Sequence, residues 1–525
     1  MIALVAAAEA ARLDAATARE ASIPPLLLME AASLRIWDLL AGLLETDPGL
    51  AAGKGPIVAL AGKGNNGGDA LAVLRHARFA GHRDLAAILV AEKGSELFDQ
   101  QLASLRALGI PIVFWETGAA EARKLIGKAR VVIDGIAGTG LAGALRKPGA
   151  DLVSALGGGA APVLAIDLPS GLGEAWTEDC PSLAATWTAS IEPRKACLYF
   201  PSARALAGQI LPLRGIFPVD SAITAQASLL EETDLPGLLP RIPASAHKGS
   251  RGRLGLLAGS PGMVGAAGFA AAGAAAAGIG LVSFFADSEI YPALAGGGGP
   301  GGLSPAVIRR FPAKMAELGA PDALVVGPGW GQSPEKARLL AEILDSGLAL
   351  VLDADALRLL PSILGKTGLA PGARILCPHP GEFEALSGIP PSQSLANPAA
   401  CLSGYAGSVG SVVILKSHVT WIASPDGRIA VWEGLEAGLG TAGSGDVLAG
   451  LAGGFLAALS ASSPEGGGPE LAFRAACAAV VVHGLAGRAA RARRGWFTAA
   501  DLAEEAALLA SQACPSSLDP PPAFL

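Results

Sequence analysis

Twice along a chain of 525 residues, short apolar runs alternate with stretches of helical spacing, and this alternation restricts the fold more than any other feature. The first series is Pro56–Ala61, Leu85–Val90, Ile110–Phe114, Arg130–Ile133 and Val163–Ile166. The second is Leu254–Leu257, Leu281–Phe285, Ala323–Val326, Leu350–Leu352, Arg374–Leu376 and Val412–Leu415. Strands separated by helices return parallel to one another, which predicts two mostly parallel sheets with helices on both faces. Between the series, Phe217-Pro218 and the proline-broken stretch 234–243 carry neither period, so a domain boundary is expected near residue 222. The expected domains are 1–222 and 223–514, followed by a proline-rich tail, 515–525, expected to be disordered. Residues 3–47 read as helical with a break at Ile23-Pro24-Pro25, and Ser460–Pro469 reads as a loop. The halves share an architecture class but repeat no sequence.

Composition narrows the function classes. The chain is 51% hydrophobic and 16% charged with a formal charge of -7, so the basic excess of a general nucleic-acid binder is missing. Its six cysteines are scattered, without a C-x-x-C or zinc spacing, and read as small buried hydrophobes. Pro261–Ala286 carries no charge, yet it is Ala/Gly-rich and broken at Gly278-Ile279-Gly280. It reads as a packed helix followed by a buried strand, not as a membrane span. The first residues lack the basic start of a secretory leader, so a cytoplasmic location is expected.

In the first half, the run 56–61 leads into Gly62-Lys63-Gly64-Asn65-Asn66-Gly67-Gly68-Asp69, followed by helical 70–80. The G-x-G-x-x-G spacing can aim backbone amides at a pyrophosphate, and Asp69 could cap the helix that follows. Two further strands end in Asp134, then Gly138-Thr139-Gly140-Leu141, and in Asp167, then Pro169-Ser170-Gly171. Loops at the carboxyl ends of parallel strands share one crevice where ligands bind.

In the second half, Gly440-Thr441-Ala442-Gly443-Ser444-Gly445-Asp446 precedes an expected helix 447–459. Small residues at a helix start free their amides to hold an anion, and Asp446 beside them can act as a base toward a phosphoryl acceptor. Gly327-Pro328-Gly329, Asp353-Ala354-Asp355, Pro378-His379-Pro380-Gly381-Glu382 and Lys416–Thr420 each follow an expected strand, so they share one sheet edge. Lys248, Arg251 and Arg253 add cations ahead of the first strand of this half.

The ordered motifs of the first half, from Leu13-Asp14 and Leu28-Met29-Glu30 through Gly64–Asp69, Asp134–Leu141 and Asp167–Gly171, resemble the NAD(P)H-hydrate epimerase family. Those of residues 245–510 resemble the ADP-dependent NAD(P)H-hydrate dehydratases. The resemblance implies an α/β chain of two domains, an N-terminal Rossmann-like three-layer sandwich and a C-terminal ribokinase-like α/β domain. It implies a bifunctional repair enzyme that interconverts R and S hydrates of NADH and NADPH, then dehydrates the S form with ADP, yielding AMP and phosphate.

By the same resemblance Asn65, Asn66, Gly67, Gly68, Asp69, Gly138, Thr139, Gly140, Leu141, Ala142, Gly143, Ala144 and Asp167 surround the hydrate in the first domain, with Asp167 catalytic. Asn66, Asp134 and Ser170 would hold a potassium ion. Ala266, Gly329, His379 and Asp446 would line the second hydrate site, with Asp446 the catalytic acid/base. Lys416, Ser417, His418, Val419, Thr420 and Gly445 would contact ADP, accompanied by magnesium. The implied partners are small molecules and a further copy of the chain in a homo-oligomer, without nucleic acid or membrane. The chain departs from the usual pattern at Ala70, Gly143, Ala144, Ser417 and the Gly-rich 296–302. A ribokinase-like small-molecule kinase fused to an epimerase-like domain, and a non-catalytic dinucleotide binder, are the alternatives.

Overall fold

A computed structural model describes residues 1–156, 161–218, 222–295, 306–363, 372–463 and 467–514. The chain divides into two compact units, Ala3–Gln226 and Ala227–Leu525, the second including Met1–Ile2. The expected tail 515–525 and the Gly296–Gly302 loop lie outside the described residues.

In the first unit a seven-stranded sheet runs in the order Ile112–Phe114, Leu85–Leu89, Ile57–Ala61, Val131–Gly135, Val163–Ile166, Trp187–Ile191 and Gln209–Leu213. Every neighbouring pair is parallel. Its strands are apolar on both faces because helices cover both. Ile57, Ala59 and Ala61 join a core with Ile36, Leu40 and Leu71, whereas Val58 and Leu60 join another with Val113 and Ala122. Strand order reverses between Ile57–Ala61 and Val131–Gly135, whose ends lie in register at Ala61 and Gly135. That reversal opens the crevice at which open α/β sheets bind ligands.

Several sequence expectations change here. Residues 3–47 do not form a helical block throughout: Ile2–Val5 is a strand, paired at Leu4 and Val5 with Arg194 and Lys195, before helices Ala7–Glu20 and Pro25–Thr46. The helix expected from residue 70 begins at Asn65, with Gly64 as its N-cap, so Asn65–Asp69 is its first turn and Asp69 is not its cap. Asn and Gly are poor helix formers, but contact overrides propensity. A Cβ on Gly67 would stand 2.0 Å from the carbonyl oxygen of Gly62, so only glycine lets this turn pack onto the strand end.

The second unit carries seven parallel strands in the order Ala306–Arg310, Leu281–Ala286, Arg253–Leu257, Ala323–Val326, Leu350–Leu352, Arg374–Leu376 and Val412–Leu415. Val419–Ala423 and Ile429–Glu433 extend it antiparallel, and Ala227–Leu229 adds a parallel strand. Order reverses between Arg253–Leu257 and Ala323–Val326. Pro261–Ala286 resolves into helix Val264–Ala276 and strand Leu281–Ala286, as its pattern predicts.

The Ala/Gly richness of that helix has a packing cause. A Cβ on Gly450 would lie 2.1 Å from the Ala270 carbonyl oxygen, and one on Gly273 would lie 2.2 Å from that of Val447. Helices Val264–Ala276 and Ser444–Ser462 thus cross backbone against backbone. Ser444–Ser462 and Gly468–Arg494 are long and apolar enough to cross a membrane, but 78% and 72% of their apolar windows are buried in the core. They also replace much of the loop expected over Ser460–Pro469, whose residues 464–466 lie outside the described set.

Candidate active sites

At the strand reversal of the first unit lies a cavity of about 990 Å³. Asn65, Asn66, Asp69, Gly138–Ala142, Ala144 and Asp167 line it, together with Asp14, Lys63 and Lys195, while Gly67, Gly68 and Gly143 are absent from its wall. Asp167 sits just past strand Val163–Ile166 with φ 66°, a left-handed conformation that costs a non-glycine residue about 1 kcal/mol or more. Its Oδ1 accepts the Ile191 amide at 3.0 Å and the ammonium of Lys195. Asp69 is partly buried, and its buried Oδ1 meets no hydrogen-bonding partner among the described residues. Burial, then the charges of Asp167 and Asp14, push the Asp69 carboxyl well above the usual carboxylate range.

Behind this wall Asp134 is fully buried and, among the described residues, accepts only neutral donors: the Ser170 amide at 2.8 Å, the Ser170 hydroxyl at 2.6 Å and the Ile136 amide at 3.2 Å. Burial pushes its carboxyl up to about 6 against those three bonds. The Asn66 amide donates to the Ala137 carbonyl at 3.1 Å, and the Ser170 hydroxyl contacts the same oxygen at 3.2 Å. A buried carboxylate with oxygen donors around it and no cationic side chain bonded to it suits a hard cation.

In the second unit the expected anion-hole helix begins at Ser444, three residues earlier than its sequence suggests, with Gly443 at φ 89° as its N-cap. Asp446 therefore stands within the first turn, among amides that have no partner inside the helix. Burial, then the charge of Asp353, push the Asp446 carboxyl up to about 7 against the pull of Lys416. The Lys416 ammonium bonds Asp353 at 2.6 Å and lies 4.0 Å from Glu382. Although its burial opposes the charge, Asp353 and the neighbouring acids hold that ammonium raised. A Cβ on Gly445 would fall 3.7 Å from the same nitrogen, so the cation stands beside the helix start.

His379 caps helix Pro380–Ser387, its Nδ1 accepting the amides of Gly381 at 3.1 Å and Glu382 at 3.3 Å, and its side chain is half exposed. A Cβ on Gly329 would meet that of Ala266 at 2.9 Å, so these two residues are neighbours. Ser417 and His418 lie in the turn after Val412–Leu415, whereas Val419 and Thr420 open the next strand. Partly buried His483 holds the helix start, its Nε2 lying 3.0 Å from both the hydroxyl and the carbonyl oxygen of Ser444.

Comparison with known proteins gives both halves relatives. A family model described as NAD(P)H-hydrate dehydratase matches residues 254–508, and one described as YjeF-related protein N-terminus matches residues 26–197. The bifunctional NAD(P)H-hydrate repair enzyme Nnr of Moorella thermoacetica is 31% identical over 512 residues, covering 94% of this chain and 93% of its own. The chain belongs to the bifunctional NAD(P)H-hydrate repair enzyme family. The family's Escherichia coli member is 28% identical over 454 residues, covering 83% of this chain and 81% of its own. A crystal structure of the ADP/ATP-dependent NAD(P)H-hydrate dehydratase from Bacillus subtilis, co-crystallised with ATP/Mg2+, covers 55% of this chain and 99% of its own, at 26% identity and TM-score 0.46.

Beyond the family motifs, three residues belong to these sites that sequence reasoning gave no role: Lys195, Asp353 and His483. Asp353 carried a signal, since it ends a strand in Asp-Ala-Asp, and Ala354 between the two acids has φ 47°. His483 carried none beyond being polar amid apolar neighbours, and Lys195, beside Arg194, carried none at all.

Proposed function

We infer that this chain repairs hydrated NADH and NADPH in two steps, epimerising the R and S hydrates in the first unit and dehydrating the S form with ADP in the second. The observation that carries the reading is Asp446, a carboxyl with its pKa near 7, at the start of an amide-bearing helix beside the paired cation Lys416. Hydroxide is a poor leaving group and phosphate a good one. Asp446 takes the proton of the ring hydroxyl as its oxygen attacks the terminal phosphorus of ADP, releasing AMP. The phosphoester then leaves as phosphate, a ring proton is lost and the dihydronicotinamide is restored. Lys416 and the free amides of the helix start face the charge that develops on the phosphoryl group.

Ala266, Gly329 and His379 would shape the second hydrate site, with Lys416–Thr420 and Gly445 against the nucleotide. Magnesium fits as an ion brought by the phosphates, because the described residues hold no cluster of three or more His, Cys, Asp or Glu to bind one alone. In the first unit Asp167 would be the catalytic group, with Asn65–Asp69 and Gly138–Ala144 around the dinucleotide. Asn66, Asp134 and Ser170 fit potassium, which when bound would neutralise the buried Asp134 and fix the two loops that meet there.

The test is recovery of dihydronicotinamide absorbance from a mixed-epimer NADH hydrate preparation with ADP, magnesium and potassium. Complete recovery, faster than spontaneous epimerisation, is expected, and recovery confined to the S fraction is expected when lithium replaces potassium. Absence of recovery together with ATP-dependent formation of a stable phosphoester would establish the small-molecule kinase instead.

A further inference from the structure

We propose that Lys195 and Asp167 act as one unit on the wall of the first cavity, the lysine holding the carboxylate as proton acceptor while Asp69 faces it as proton donor. This deepens the epimerase reading and rests on it. The side chain of Lys195 is only 2% exposed, and a lysine so deeply buried needs a partner. It donates to Asp167 Oδ1 and to the Ile191 carbonyl at 2.8 Å, while the Ile191 amide donates to the same Oδ1. Both bonds to the carboxylate land on Oδ1, which leaves Oδ2 for the cavity that Asp167 lines.

Asp14 and Asp69 line that cavity too, so three carboxyls stand in one site of which only Asp167 bonds the ammonium, and like charges in one site leave a proton on one of them. Asp69, partly buried with one orphan buried oxygen, is the carboxyl least able to carry charge. Glu174 is engaged elsewhere, accepting the Ala7 amide at 2.6 Å, and the Cys197 thiol beside Lys195 is held protonated by burial. Lys63, Arg146 and Lys147 complete the charged lining.

The hydrated ring carbon bears both a hydroxyl and the ring nitrogen, so it is a hemiaminal. Asp167 takes the hydroxyl proton, the carbonyl forms, and the carbon–nitrogen bond breaks with its electron pair to nitrogen, which takes the proton of Asp69. The aldehyde turns about its carbon–carbon bond and nitrogen re-adds to the other face. Both protons then return to the groups that gave them up, and no co-reactant is consumed.

The experiment uses the full chain and the R hydrate of NADH, with its own ADP-dependent dehydration as the reporter. Lys195→Ala is expected to lower kcat for epimerisation by about 100-fold with KM unchanged, to be rescued saturably by methylammonium, and to leave dehydration of the S hydrate intact. Lys195→Arg keeps a cation and is expected to retain more turnover than Lys195→Ala, and Asp69→Asn to lose turnover without amine rescue. Wild-type kcat in Lys195→Ala, or a loss that neither methylammonium nor the Arg variant restores while near-ultraviolet dichroism stays native, overturns the proposal. A wild-type chain that converts the R hydrate no faster than buffer brings down the epimerase reading itself, a result separate from any variant's.

Discussion

An aspartate that titrates near neutrality can both take and return a proton at physiological pH, and Asp446 owes this property to its surroundings. Desolvation supplies the larger part of the shift and Asp353 the next, with Lys416 opposing. As a base it must be ionised, so dehydratase kcat/KM is expected to fall about tenfold per pH unit below about 7, read from a pH–rate profile. Asp446→Asn keeps the shape and removes the base. It is expected to cut dehydration by about 10²-fold or more while epimerisation continues. His483 makes a second prediction with the opposite use of burial. Burial pushes this imidazole down to about 4, so the folded state refuses a proton that the unfolded chain accepts. The stability it contributes is present above the unfolded value of about 6.5 and is lost as pH falls toward 4, by about 3 kcal/mol in all. His483→Gln is expected to flatten that fall, measured as urea midpoints at pH 7 and pH 5.

At the scale of elements, the helix that carries Asp446 is positioned by its glycines. Gly450→Val would place a Cβ 2.1 Å from the Ala270 carbonyl oxygen, and the crossing of the two helices must widen. A loss of about 1–3 kcal/mol is expected, seen as a lower urea midpoint, with dehydration reduced more than epimerisation because the displaced helix start carries the amides and Asp446. The strands buried on both faces were legible in the sequence, because continuous apolar runs such as Ile57–Ala61 and Ala323–Val326 have few other readings. Gln209–Leu213 was not, since an edge strand broken by Pro212 and half-exposed lacks that signal. Ile2–Val5 was hidden because Ala, Leu and Val beside a helix read as its continuation. Asn65–Asp69 looked like a turn because propensity favours one, and the packing of Gly67 on Gly62 decides otherwise. Motif residues at the site were readable from their strand-end positions. Lys195 was not, because no spacing tells that its side chain bonds an aspartate 28 residues earlier.

For the whole molecule, what matters is that each site draws its residues from one unit. Every residue lining the first cavity lies between Ala10 and Phe217, and the groups around Asp446 lie between Ala266 and His483. Among the described residues neither set borrows a side chain from the other, so a lesion in one leaves the other chemically whole. Asp167→Ala is accordingly expected to stop recovery at the S fraction of a mixed hydrate preparation, and Asp446→Asn to slow recovery of the whole signal by about 10²-fold or more. An equimolar mixture of the two variants then contains one intact copy of each site on different chains. Because the hydrate leaves one cavity as the same molecule that the other accepts, the mixture is expected to recover the full signal, at about half the wild-type rate at equal total protein. The check is the absorbance time course of each variant alone and of the mixture. Failure of the mixture to pass the S fraction would mean that the hydrate must be handed over within one chain, and that the two activities are joined for more than common expression.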